Sequence, residues 1–170
     1  MDVDDQSLPG SGREIIAAPV HAAERLVGLG FRCSVAGAAF CDPASWRTLS
    51  GAYLTALGPE CGNTLLLRLS QFTCAVHNTA QRPISVNQLG CRGFCRDECL
   101  AISVIAACQH DARPALRACA SALTGSSDIG DTLNSAQIFA QELACAGQML
   151  RADSVCPATC AFKLHPKRLS

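Results

Sequence analysis

The sequence predicts an all-α fold, a disulfide-stapled bundle of about five to six helices. Apolar residues recur at helical spacing through most of the chain, and no run shows the sustained period-two alternation of a half-buried strand. Twelve cysteines accompany only six Phe, one Tyr and one Trp in 170 residues. Small helix formers with few large apolar groups make thin helix-to-helix contacts, and covalent cross-links are the usual compensation. The length suits one domain with a core of its own. The division expected is a polar N-terminal arm over 1–12, a single cysteine-rich helical domain over 13–162 and a basic tail over 163–170.

The first helix is framed by Ser11 and Glu14 at capping-box spacing, with Pro19 placing the regular part from about Ala18. It runs through HAAERLV and is expected to stop at Gly28 and Gly30. Cys33 and Cys41 bracket the small-residue stretch SVAGAAF. Asp42, with Pro43 in the first turn, caps a second helix that Gly58 and Pro59 end near Leu57, its inner face formed by Trp46, Leu49, Tyr53 and Leu57. Cys61 opens a third helix over about 63–76, where Leu65, Leu66, Leu69 and Phe72 form the strongest apolar stripe and Cys74 sits near the end.

Residues 77–87 are polar, contain Pro83 and read as a loop. A central helix is expected over about 88–109. At about 100° per residue, Cys91, Cys95 and Cys99 fall roughly 40° apart in succession, a ridge of three sulfurs continued by Ile102 and Ile105. Pro114 starts a short helix with Leu116 and Cys119, and TGSSDIGD is a break. Asp131 or Thr132 begins a last long helix to about Arg151 that carries Leu133, Ile138, Phe139, Leu143, Cys145 and Met149. Cys156 and Cys160 bound a final turn.

Charge is balanced, 14 basic against 14 acidic residues, with Asp2, Asp4 and Asp5 at the start and Lys163, Lys167 and Arg168 at the end. No basic stripe interleaved with aromatics is present, so no nucleic-acid partner is expected. The longest nearly apolar run, 100–108, is far short of the ~20 residues of a spanning helix, so no membrane span is expected. Zinc or an iron–sulfur cluster is the sharpest alternative for Cys91, Cys95 and Cys99, yet on a regular helix the outer two stand about 12 Å apart, too far for one ion. His21, His77, His110 and His165 are each isolated, outside any ligand spacing. No glycine-rich nucleophile turn or phosphate loop occurs, and the adjacent Asp97 and Glu98 are expected on different helix faces, solvating the outer side.

The chain therefore reads as no enzyme, with no cofactor, metal or catalytic residue. Its candidate residues are disulfide cysteines: Cys33, Cys41, Cys61, Cys74, Cys91, Cys95, Cys99, Cys108, Cys119, Cys145, Cys156 and Cys160. Cys91, Cys95 and Cys99 are expected to bond cysteines on neighbouring helices, Cys61, Cys74, Cys119 and Cys145 among them, with the connectivity open. Disulfides imply an oxidising compartment, whereas MDVDDQSLPGSG has neither the charged start and apolar stretch of a signal peptide nor the arginines of a transit peptide. Either a leader has been removed, or the compartment is one reached without it, such as the mitochondrial intermembrane space.

The segment HAAERLVGLGFRCSVAGAAFC resembles the start of coiled-coil-helix–coiled-coil-helix (CHCH) proteins, including four-motif members that are accessory subunits of mitochondrial complex I. The matching positions are Ala22, Ala23, Gly30, Cys33, Phe40 and Cys41, with seven residues between the cysteines where the family has nine. A second resemblance, to the helical cysteine-rich domains of GDNF-receptor and GAS-type surface proteins, rests on Cys33, Cys41, AYLT at 52–55, Cys61, DEC at 97–99 and Cys119. Cys74 and Cys91 to Cys95 resemble frizzled and folate-receptor domains. The first resemblance implies an accessory subunit of a respiratory complex, facing the intermembrane space at the periphery of a membrane complex, with other protein subunits as partners. The others imply a secreted or cell-surface ligand-binding module.

Overall fold

Residues 100–108 are buried without a break, and a helix that is apolar on every side needs neighbours on every side. In the computed structural model, which describes residues 21–155, that helix is α3 (Arg96–Gln109). Against it pack α1 (Ala22–Phe40), α4 (Arg113–Thr124), α5 (Gly130–Cys145) and a 3-10 turn (Ala152–Ser154), while α2 (Pro43–Thr79) lies against α1 and α5. The fold is all-α, with five α-helices and no strand among the described residues. The expected N-terminal arm and basic tail, together with Cys156 and Cys160, lie outside the described residues.

Helix α1 continues through Gly28 and Gly30, where the sequence predicts a stop. The glycines serve as points of close approach instead. A methyl group at Gly28 would sit 2.5 Å from the Phe94 ring, one at Gly30 would collide with the Tyr53 hydroxyl, and one at Gly37 would sit 2.7 Å from the Trp46 indole. Contacts this tight let helices cross that carry few large side chains. Trp46 consequently lies across Gly37 and is 39% exposed, whereas its expected companions Leu49 and Tyr53 are buried and Leu57 is half-buried. The Tyr53 hydroxyl donates to the Leu26 carbonyl (3.2 Å), which satisfies it within the core.

Asp42 caps α2 as expected, accepting from the Ala44 and Ser45 amides at 3.0 and 3.1 Å. The helix breaks at Gly58 (φ 77°, ψ 171°), the conformation that glycine adopts without a Cβ penalty, and Pro59 restarts it. Beyond the break α2 runs beside α5: Thr79 meets Thr132 (3.2 Å between hydroxyls), the Phe72 ring stacks on Phe139 (6.2 Å) and Arg68 pairs with Glu142 (3.7 Å). Phe72 also meets Phe31 of α1 at 6.2 Å, so one aromatic ladder joins three helices. Buried large-to-alanine changes of this kind typically cost about 3–5 kcal/mol.

Helix α5 ends at Cys145, well short of Arg151, because Gly147 turns the chain with φ 75°. Of the apolar residues expected on this helix, Phe139 and Leu143 are buried, whereas Ile138 is 37% exposed and Met149, 51% exposed, lies beyond its end. The following segment folds back under side-chain control. Gln109 Nε2 donates to the carbonyls of Ala140 (3.2 Å) and Gln148 (2.9 Å), and its Oε1 accepts from the Leu150 amide (2.8 Å). Glu24 Oε1 accepts from the Arg151 amide (2.9 Å) and the Ser154 hydroxyl (2.7 Å).

Two expectations follow from this packing. Gly30→Ala should destabilise by roughly 1–3 kcal/mol through overpacking. Gly51→Ala, in α2 with nothing within 4 Å of the added methyl, should stabilise by about 0.5–1 kcal/mol through helix propensity; urea unfolding of both variants checks the opposite signs. The second concerns acid. Burial raises the Glu24 pKa, but hydrogen bonds from Arg151 and Ser154 and the charge of His21 lower it further, leaving it below its ordinary 4.5. Its stabilisation is thus complete above about pH 4.5 and is lost as pH falls through the lower folded value. Amide exchange at Leu150 and Arg151 should accelerate in that acid window, and the acceleration should be absent in Glu24→Gln; an identical acid step in the variant would refute the assignment.

Candidate functional site

Buried charge concentrates at the start of α3. Glu98 is 0% exposed and Asp97 3%, so the expectation that both solvate an outer face is corrected: each is claimed by an arginine from another part of the chain. Arg32 of α1 donates to Glu98 through Nε (2.7 Å to Oε1) and Nη2 (3.1 Å to Oε2), and reaches the carbonyls of Cys91 (2.8 Å) and Gly93 (2.6 Å). Its guanidinium also lies over the Phe94 ring, 5.3 Å from the centroid. Arg82 forms the second pair, with Nη2 and Nη1 at 2.6 and 2.9 Å from the two Asp97 oxygens, and donates to the Ala122 carbonyl (3.0 Å).

Both carboxylates also hold loop backbone. The Ser85 amide donates to Asp97 (2.8 Å), and the Asn87 and Cys95 amides donate to Glu98 (3.0 and 2.7 Å). Residues 80–95 are thereby fastened along their length, and the two negative charges sit at the helix N-terminus, where the backbone dipole favours them. Burial opposes the charge of Arg32, but the hydrogen bonds and charge of Glu98 outweigh it and raise the pKa further.

This arrangement corrects the central helix and its sulfur ridge. Cys95 is the N-cap residue of α3, its amide bound by Glu98 three positions on, so the helix begins at Arg96 and not near 88. Cys91 lies in the loop, and only Cys99 of the three is on the helix. The clue in the sequence is Glu98 at capping-box distance from position 95, masked because that position is cysteine where the motif has Ser or Thr.

The remaining cysteines divide by burial. Cys33 and Cys108 are buried in the core. Burial pushes the Cys33 thiol up to about 11 and the Cys108 thiol to about 12, so at neutral pH both act as small apolar groups. Cys119 is buried on α4 and Cys99 half-buried on α3, while the Cys95 thiol, raised by burial, donates to the Ser85 carbonyl (3.2 Å). Cys41, Cys61, Cys74, Cys91 and Cys145 are exposed. Among the described residues no disulfide joins Cys33, Cys41, Cys61, Cys74, Cys91, Cys95, Cys108 or Cys145 to another of that set.

One concavity is lined by two thiols. Cys61 of α2 and Cys145 of α5 line a cleft of about 190 Å³ with Glu60, Thr64, Leu65, Glu142 and Ala146. A second hollow, lined by Ser70, Gln71, Cys74, Ala75, Asn78 and Asp131, holds one thiol. His110 is occupied by the Leu150 carbonyl (2.8 Å) and His21 by Arg151 (2.6 Å). Among the described residues no three His, Cys, Asp or Glu side chains gather as a metal-holding group, and no helix is long and apolar enough to cross a membrane.

Removing one partner of a buried ion pair leaves the other uncompensated, so Glu98→Ala should cost about 3–5 kcal/mol. Its specific sign is faster amide exchange at Asn87 and Cys95 than at the core amides of α5; a uniform change across the protein would refute the clamp. With the fold and these sites in view, comparison with protein-family models, curated proteins and solved structures yields no match.

Proposed function

We propose that the chain is a non-catalytic structural or assembly subunit acting through its surface, in an oxidising compartment where its exposed cysteines form disulfides. The observation that carries this reading is where the buried charges are spent. Buried, paired ionisable groups commonly mark active sites. Here Arg32, Glu98, Asp97 and Glu24 direct hydrogen bonds at the backbone of connecting segments, and Arg82, itself in one, reaches the backbone of α4. Their work is to hold loops against helices.

The outside of the molecule supplies the contact chemistry. Leu54, Leu67, Leu89, Trp46, Ile138 and Met149 are large apolar groups open to solvent, and five described thiols accompany them. Taken with the CHCH resemblance of the α1 segment, this supports an accessory subunit of a mitochondrial respiratory complex facing the intermembrane space, its partners the other subunits. Cell fractionation tests it. The chain should become protease-sensitive when the outer mitochondrial membrane is ruptured and should co-migrate with a respiratory complex on native gels. Recovery from the medium or the cell surface would replace this reading with the secreted ligand-binding module.

A further inference from the structure

From the cleft between α2 and α5 we infer a redox lock: Cys61 and Cys145 close into a disulfide by exchange with a low-molecular-weight disulfide. The two residues are 84 positions apart in sequence, yet both are exposed on the walls of one cleft of about 190 Å³. The helices run antiparallel, Thr79 meeting Thr132, Phe72 meeting Phe139 and Arg68 meeting Glu142. Continued to the end of α5, this register sets Cys145 near Leu65, with Cys61 four residues beyond, about 6 Å or more along the axis. Both thiols therefore border the one cleft from its two walls, offset from each other along the helix axes.

Closing the bond requires backbone movement, and the end of α5 is where the lock places it. Cys145 is the last residue of α5 and is followed by the Gly147 turn, so its approach to Cys61 draws on the end of α5 and loosens the bonds that Gln109 makes to residues 148 and 150. The aromatic ladder further along the helices stays packed. Arg68 holds Glu142 at 3.7 Å and so ties that part of α5 to α2 while the end adjusts.

The chemistry balances as two exchanges. One thiol, deprotonated, attacks a sulfur of the small disulfide; that S–S bond breaks, a mixed disulfide forms and the first small thiolate leaves and takes up a proton. The second protein thiolate then attacks the protein sulfur of the mixed disulfide, forms the Cys61–Cys145 bond and expels the second small thiolate, which is also protonated. Two protein thiols are oxidised and one small disulfide is reduced to two thiols. Glu60 and Glu142 at the cleft favour a cationic disulfide, so cystamine is the probe.

The full chain, reduced and then equilibrated with cystamine and cysteamine, should yield on blocking and digestion a cross-linked peptide joining Cys61 to Cys145. Cys61→Ser and Cys145→Ser, both at exposed positions, should each lose one mass step of about 2 Da, the two hydrogens removed on closure. The oxidised parent should melt roughly 5–10 °C higher than either variant under the same conditions, as expected for closing a long loop. Circular dichroism of the reduced proteins confirms that the variants are folded. Recovery of both cysteines as blocked thiols, as two separate mixed disulfides, or as disulfides to other partners would each overturn the lock. The outcome is independent of where the protein resides, so it separates from the fractionation result.

Discussion

The two adjacent carboxylates that begin α3 are the constraint on which the architecture rests. An α-helix places neighbouring residues about 100° apart, so Asp97 and Glu98 point in different directions, and the chain meets each with an arginine from a different region. Arg32 comes from α1, and Arg82 comes from the long connection that follows α2. A buried charge without a partner is strongly unfavourable, and a buried pair is tolerable when its remaining donors and acceptors are satisfied. These pairs meet that condition by binding the backbone of residues 80–95. A sixteen-residue connection without regular structure is thereby made part of the packed body.

The same economy recurs at the other end of α3. Gln109 and His110 hold residues 148–150, and Glu24 at the first turn of α1 holds 151 and 154. Long connections and short helices coexist because polar side chains on the central helices reach out to them. In most bundles short loops do this work; here the side chains do.

What was legible in the sequence is the part governed by local rules. Asp42 before Pro43 announces a helix start, Gly58 before Pro59 a break, and the nearly apolar run of 100–108 a central helix, though not that neighbours enclose it on every side. The misreadings arise where a residue's role is set by a distant neighbour. Gly28 and Gly30 read as stops, but Phe94 and Tyr53 need the space they leave. Asp97 and Glu98 read as surface charges, since Arg32 and Arg82 are far away in sequence. Cys95 looked like part of a sulfur ridge because spacing shows an angle and not where a helix begins. For the cysteines, sequence reasoning identified candidates, and the cleft that Cys61 and Cys145 both line depends on the register of two helices that no local pattern records.

The bond between Glu24 and the Arg151 amide joins positions 127 residues apart. During synthesis α1 leaves the ribosome first among the described helices, yet the carboxylate at its first turn has no chain to hold until nearly everything else has emerged. The Arg32–Glu98 pair must likewise wait for α3, whereas the contacts with α2, Tyr53 on Leu26 and Phe72 on Phe31, can form earlier. The oldest helix in time is therefore secured in two stages, and a nascent chain stopped before α3 would pair α1 with α2 while leaving the α3-facing side of α1, Arg32 and Gly28 on it, open to whatever chaperone or aggregating neighbour is at hand.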